Sequence, residues 1–475
     1  MTAEAEPLTP PAPVVGTPRA AKLTLAVASL AVLAVFLDTT VLFVAFPDIV
    51  ATFDSVAPTQ LSWVLNAYTI VFAALLVPVG KMADRVGHKR AFLVGSALFT
   101  IASLLCAVAP SAAVLIAFRV VQAAGAAVLI PSSLALVLRA FPPAKVPFAV
   151  AIWGASGALA GALGPTLGAV LVEAASWRWV FLINLPVGVF TVVAGRRILN
   201  ESRNAATVLP APIGVVLIAA GAGLVSLGVV QSEEWGWLGV GTIGSIVAGV
   251  ALLVAFWLQQ RTTSAPVLDL ELFSIRDFKW GNAATIAFGI AFTAMFFSSI
   301  LFLTEVWQYS ILRAGFGVAP GPSLVAVLAP NMGNLAGRVG QRPLLIVGGL
   351  AFAAGGVWRL VALGGQPSYV IEYLPSMLFT GIGVAMCLPQ LSSVVAQSLP
   401  PDRLGVGGAA NQAIRQFGGT LGVALTIAFV AGSTSLDDAL DGFDDVWWLL
   451  IVGGVATSAL STPLLTRRAL ATTDS

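Results

Sequence analysis

The stretch GKMADRVGHKR, Gly80 to Arg90, decides how this chain is read. Six of its eleven residues are ionisable: Lys81, Asp84, Arg85, His88, Lys89 and Arg90. Apolar runs at 61–79 and 91–109 flank it, each close to the roughly 20 residues a helix needs to cross about 30 Å of hydrocarbon. So dense a cluster stays out of lipid, and its basic excess places it, as a tight loop, on the cytoplasmic side. A fainter copy, GNLAGRVGQRP, fills 333–343. Gly80, Ala83, Arg85, Val86 and Gly87 reappear there as Gly333, Ala336, Arg338, Val339 and Gly340, each 253 positions later. One membrane unit therefore occurs twice.

Composition agrees with that reading. Hydrophobic residues make up 58% of the 475 and charged residues 10%, well under half the charge density of a water-soluble chain. A polytopic membrane protein follows. The basic residues lie in short, separated loops, which excludes a nucleic-acid surface. With a single histidine, His88, a histidine-based metal site is not expected. Cys106 and Cys387 lie in apolar spans of opposite halves and read as packing residues.

The first 21 residues are rich in Pro and Ala and read as a disordered cytoplasmic tail. The apolar run that follows is too long for a cleaved signal peptide. From there fourteen spans are expected, near 23–46, 61–80, 91–109, 112–135, 147–171, 178–196, 210–230, 239–258, 281–304, 315–333, 343–363, 373–396, 405–431 and 446–465. With both termini cytoplasmic, 19 of the 24 Lys and Arg fall in inner loops, while the outer loops carry Glu233, Glu234 and the acidic stretch from Asp437 to Asp445, read as a solvated loop. A miscounted span would invert every later loop, so the charge distribution supports an even number. Spans 2 and 3 match spans 10 and 11, giving an all-α architecture of two six-helix bundles (22–199 and 263–467) with two extra spans inserted between them (200–262) and a cytoplasmic tail at 468–475. Parallel repeats of this kind place a pathway at their interface and let the halves rock against each other.

Five further stretches carry a family resemblance: LDTTVLFVAFP (37–47), RVVQAAGAA (119–127), GALAGALGPTLG (157–168), WRWVFLINLPVG (177–188) and NQAIRQFGGTLG (411–422). With the loop at 80–90 and in this order, they make the chain resemble the major facilitator superfamily, specifically the fourteen-span drug:proton antiporter family of the EmrB/QacA type. Phe43, Ala123 and Ala169 depart from the residues common there, and Gly337 replaces in the second loop the acid that Asp84 supplies in the first. These departures bear on substrate more than on fold.

The resemblance and the residues together nominate sites. Asp38 and Arg119 are expected roughly 10 to 12 Å below the outer surface, and an ionisable group in lipid normally faces a partner or a watery cavity. Asp38 is expected to take and release a coupling proton that Arg119 tunes; the alternative is a permanent structural ion pair. Gly157, Gly161, Gly164, Pro165 and Gly168 form a small-residue face, bent by proline, that either seals and hinges the pathway or only packs helices. In the loop marked by Gly80, Asp84, Arg85, Gly87 and Arg90, Asp84 is expected to pair with Arg85 or Arg90, or to meet a helix end in the other half and gate the inner face; the alternative is topology alone. His88 reads as a loop residue outside the membrane. Glu305 is a second acid, for a proton or for an outer mouth, or an interfacial anchor. Arg415 is too deep to snorkel and is expected to face the cavity or brace the halves, whereas Arg359 is expected to snorkel. Trp63, Asn66, Tyr68, Gln122, Trp153, Gln390 and Asn411 are cavity candidates that serve equally as packing.

The function these features imply is a proton-coupled exporter of amphipathic small molecules in the inner membrane, with no catalytic constellation. A G-x-x-x-x-G-K-[ST] nucleotide loop is absent, so ions are the expected driving force and no cofactor is expected. About 2.3 kcal/mol per charge per 100 mV, with about 1.4 per pH unit, suffices. The alternatives are export or import of an endogenous lipid, metabolite or peptide by the same fold, and a non-transporting sensor or scaffold. Expected partners are substrate, protons and the bilayer, and a monomer is expected.

Overall fold

The computed structural model describes residues 18–142, 145–203, 209–399, 403–430 and 435–465, and among them every regular element is a helix. The expected tails lie outside the described residues, except that Pro18 to Ala21 begin the first helix. In lipid each backbone N–H and C=O must be satisfied by the protein itself, and a continuous apolar run of about 20 residues does so as a helix. Thirteen helices are long and apolar enough to cross a membrane, and a bent pair within 152–174 makes the fourteenth.

The spans are α1 (Pro18–Thr52), α2 (Trp63–Val86), α3 (His88–Ala107), α4 (Ala112–Ala140), α5 (Val146–Ala174), α6 (Asn184–Ile198), the inserted α7 (Pro212–Val230) and α8 (Val240–Thr262), then α9 (Arg276–Leu301), α10 (Pro320–Val339), α11 (Gln341–Ala362), α12 (Leu374–Gln397), α13 (Leu404–Val430) and α14 (Leu436–Ser461). The acidic stretch at 437–445 is not a loop but the opening of α14. Ser435 accepts from Asp438 N at 3.1 Å and caps it, and acids in a first turn are favoured by the helix dipole.

The repeat is legible in the packing. Gly95 and Gly125 bring α3 and α4 so close that a Cβ on Gly125 would sit 2.6 Å from Phe99 N, and Gly383 does the same against Phe352 N at 2.8 Å. Gly348 and Phe352 are Gly95 and Phe99 displaced by the same 253 positions as the loops. In both loops the closing glycine has positive φ, +119° at Gly87 and +86° at Gly340, a region that L side chains avoid. Helices α7 and α8 cross at Gly221 and Gly249, each of whose added Cβ would press on the other's carbonyl. Helix α7 lies against α2 and α13, one from each half.

Toward the outside the halves meet in an aromatic cluster. Phe43 of α1 packs 5.7 and 5.5 Å from Phe296 and Phe297 of α9, and Phe46 lies 5.3 Å from Phe297. A Cβ on Gly315, in the short helix Ile311–Val318 leading into α10, would lie 2.8 Å from Pro165 O of α5. Toward the cytoplasm α5 and α10 part: a Cβ on Gly154, Gly161, Gly333 or Gly337 would meet nothing within 4 Å. The seam of α2 and α13 stays joined, with Thr420 Oγ1 donating to Thr69 Oγ1 at 2.6 Å. Beside it Ala74 and Val77 of α2, Phe256 of α8 and Ile414 of α13 help line an apolar cavity of about 120 Å³.

Candidate functional site

Asp38 lies inside the first bundle and is 2% exposed. Its Oδ2 accepts from Arg119 Nη1 at 2.6 Å, and its Oδ1 accepts from Gln122 Nε2 and Asn184 Nδ2, both at 2.8 Å. Three donors from two helices beyond α1 hold this carboxylate in place. Arg119 and Gln122, three residues apart on α4, share one helix face, and Asn184 opens α6. Arg119 also donates to Val64 O at 3.0 Å and Gln122 Oε1 at 2.6 Å, and its guanidinium lies 4.0 Å from the Tyr68 ring centroid. Gln122 Nε2 reaches Ser103 Oγ at 2.8 Å. A charge pair this deep persists only when its remaining donors and acceptors are used, and here both carboxylate oxygens are.

The expected depths need correction although the pair forms. Helix α1 runs to Thr52, six residues beyond the expected end, so Asp38 lies about 21 Å along the axis from that end while Arg119 lies about 10 Å from Ala112. A helix of 35 residues is about 52 Å long, more than the bilayer core requires, and its outer turns project beyond it.

Of the cavity candidates, Gln122 and Tyr68 join this network. Asn66 is fully buried, with Nδ2 on Ser62 Oγ at 3.4 Å, and Trp153 donates to Ser133 Oγ at 2.9 Å. Trp63 begins α2 half-buried, and Gln390 is buried on α12. Asn411 donates to Asn282 Oδ1 at 2.9 Å and Thr285 Oγ1 at 3.2 Å, tying α13 to α9. Half-buried Arg415 donates to Gln412 Oε1. Glu305 is exposed in a π-helical turn, Phe302–Val306, at the outer end of α9 and makes no ion pair among the described residues.

The glycine-rich face of α5 mostly seats α1. Added Cβ atoms at Gly157, Gly164 and Gly168 would meet Phe36, Thr40 and Val41, and Thr40 Oγ1 donates to Ala160 O at 3.1 Å. Of the four glycines at 157, 161, 164 and 168, only Gly161 looks into open space. The helix bends by 46° between Ile152–Gly161 and Leu163–Ala174, where Pro165 supplies no N–H to the carbonyl of Gly161.

In the loop, Asp84 pairs with neither arginine but lies 3.3 Å from His88 Nε2, one helical turn on. His88 is 2% exposed, not a solvated loop residue. Arg90 turns to Glu201, at 3.9 Å, and that carboxylate accepts from Lys89 N at 3.0 Å and Arg90 N at 3.2 Å, capping α3. Gly80 packs beside Pro131, whose Cβ would lie 3.5 Å from an added Cβ. Lys81 Nζ donates to Pro266 O at 2.7 Å. Arg359, expected to snorkel, is fully buried instead. It donates to Ser299 Oγ at 3.0 Å and Ser376 Oγ at 3.2 Å, with the Trp447 ring 4.8 Å away. Cation–π and hydroxyl contacts hold it in the second bundle.

Sequence reading missed Asn184, Ser103 and Glu201. Asn184 sits inside one of the quoted stretches, WRWVFLINLPVG, and a lone amide in an apolar span was the available signal.

Comparison with known proteins identifies the family. The profile of the Major Facilitator Superfamily matches residues 28–423. The chain is 31% identical over 426 residues to the tetracenomycin C resistance and export protein of Streptomyces glaucescens, covering 89% of this chain and 78% of that one. It is 34% identical to the cephamycin export protein CmcT of Amycolatopsis lactamdurans, covering 84% and 83%, and 30% identical to the multidrug export protein EmrB of Haemophilus influenzae, covering 85% and 79%. Among solved structures, a D-xylose-proton symporter superposes with a TM-score of 0.67 at 14% identity over 94% of this chain and 98% of that one, a likeness of fold alone. The chain belongs to the Major Facilitator Superfamily, alongside relatives named as drug and multidrug export proteins.

Proposed function

We propose that the protein exports amphipathic small molecules from the cytoplasm in exchange for inbound protons, by alternating access. The observation that carries the reading is the Asp38–Arg119 pair at 2.6 Å, both 1% exposed by side chain. It is an ionisable couple within a membrane-spanning bundle, and its polar partners come from α2, α4 and α6 of the same half that rocks against the other. Protonating Asp38 removes the charge that Arg119, Gln122 and Asn184 are arranged around, so proton occupancy and helix arrangement are linked. The seal toward the outside and the parted cytoplasmic ends of α5 and α10 fit the form that receives substrate from within. Asp84, resting on His88 in this form, is the latch expected to reach a helix end of the other half in the opposite one. Glu305 is the candidate for a second proton.

Counterflow in proteoliposomes with an imposed pH gradient tests the reading. Asp38→Asn is expected to exchange substrate downhill but not to concentrate it; accumulation equal to that of the unaltered protein would remove Asp38 from coupling. Glu305→Gln decides whether more than one proton crosses per cycle.

A further inference from the structure

The charges enclosed within the spans do not balance. Asp38 is matched by Arg119. Arg359 and Arg415 have no carboxylate within 4 Å among the described residues. Arg359 is shut in, fully buried among hydroxyls and rings. Arg415 is only half-buried, at the middle of α13.

Its one side-chain partner among the described residues is a neutral amide. The side-chain bond of Arg415 runs from Nη2 to Gln412 Oε1. That bond turns the Gln412 amide so that Nε2 is left buried with no partner. An orphaned buried donor costs free energy, and here it lies beside a guanidinium whose other N–H groups find no side-chain acceptor among the described residues. Gly408, Gln412, Arg415 and Gly419 follow at i, i+4, i+7 and i+11, one face of a helix. At its cytoplasmic end a Cβ on Gly408 would meet nothing within 4 Å, and toward the outside Gly419 closes on Thr293 of α9, 3.2 Å from an added Cβ. The face is open below and shut above.

We propose that Arg415 and Gln412 receive an anionic group of the transported molecule, so that the substrates are amphipathic organic acids, not cations. The inference rests on the exporter reading and specifies its substrate class. A carboxylate or sulfonate supplies what the site lacks: a negative charge for Arg415, held through two parallel N–H donors, and an acceptor for Gln412 Nε2. A cation arriving there meets a like charge. Export of an anion against an inbound proton also moves both charges in the direction that a negative-inside potential favours, whereas a monovalent cation exchanged for one proton draws nothing from it.

The test uses three fluorescent probes with one ring system: 9-anthroate, 9-anthracenemethanol and 9-anthracenemethylammonium. Saturable binding to the full-length protein in nanodiscs is measured by anisotropy, with empty nanodiscs subtracted. The acid is expected to bind about tenfold or more tighter than the ammonium. Arg415→Gln is expected to weaken the acid by about tenfold and leave the alcohol within about threefold, with Arg415→Lys in between because it keeps the charge and loses the fork. Should Arg415→Gln fail to insert, Gln412→Leu keeps the charge of Arg415 while removing the orphan donor, together with the oxygen that accepts from Arg415 Nη2, and is expected to weaken the acid more than the alcohol. Ammonium binding as tight as the acid, or equal weakening of acid and alcohol, overturns the proposal. Proton-driven export of the alcohol without acid preference would remove this inference and leave the exporter reading standing. Acid-selective binding without proton-driven movement would do the reverse.

Discussion

Asn184 Nδ2, at the first turn of α6, lies 2.8 Å from Asp38 Oδ1, the same oxygen that Gln122 holds at 2.8 Å from α4. One carboxylate thus joins α1, α4 and α6 in a buried site. Asn184→Leu keeps the apolar volume and removes one donor from a buried charge. A loss of about 1.5–3 kcal/mol is expected, read as a fall in melting temperature of the detergent-solubilised protein. An unchanged melting temperature would mean that Gln122 and Arg119 suffice.

The ion pair itself is expected to be strongly non-additive. Arg119→Gln leaves Asp38 buried without its counter-ion, a change that costs about 3–5 kcal/mol. Asp38→Asn strands the guanidinium on Val64 O, Gln122 and the Tyr68 ring. Together the two substitutions restore a neutral pair of amides, so the double variant is expected to recover about 2 kcal/mol relative to the sum of the singles. Additive losses in a thermal or denaturant cycle would show that the two charges are held independently by their other partners.

Much of this was legible in the sequence, and the remainder was not for identifiable reasons. The loop at Gly80 to Arg90 and its copy displaced by 253 positions give the span count, the sidedness and the twofold repeat, because lipid allows only helices between charged loops. Asp38 and Arg119 stand out because acids in spans are scarce. Their partners do not: an asparagine or serine in a span reads the same whether it bonds a carboxylate or its own helix, as Thr69 does with Leu65 O. Arg359 misleads because its distance from the helix end suggests snorkelling, and only the placement of Trp447, Ser299 and Ser376 shows that it points inward. The glycines of α5 are conspicuous, but which of them touch a neighbour is a matter of helix rotation that spacing alone does not settle.

That rotation separates Gly164 from Gly161. A Cβ on Gly164 would sit 2.6 Å from Thr40 Cβ, whereas one on Gly161 would meet nothing within 4 Å. Gly164→Ala is therefore expected to lose about 1–3 kcal/mol through overpacking against α1, and Gly161→Ala to be neutral or slightly stabilising, since alanine favours a helix by about 1 kcal/mol over glycine. Thermal unfolding checks both. Gly161→Trp projects into the space between the halves and is expected to block exchange while inserting normally; unimpaired coupled exchange would make this face inert packing.

Phe297 sits at the centre of the aromatic part of the outer seal. Phe297 contacts both Phe43, at 5.5 Å, and Phe46, at 5.3 Å, and such aromatic pairs contribute about 0.5–1.5 kcal/mol each beyond their buried area. Phe297→Ala removes both contacts across the junction of α1 and α9. The form closed to the outside is then expected to lose about 1–3 kcal/mol relative to the opposite form, a shift of roughly 5- to 150-fold in their ratio. A cysteine in place of Thr293, one turn to the cytoplasmic side of Phe296 on α9, reports the change, because Cys106 and Cys387 are both buried. In right-side-out vesicles a membrane-impermeant maleimide should label that cysteine at least about fivefold faster in the Phe297→Ala background, by the lower end of that range. Equal labelling rates in the two backgrounds would place the outer barrier elsewhere, at the contact of Gly315 with Pro165 and Ala169.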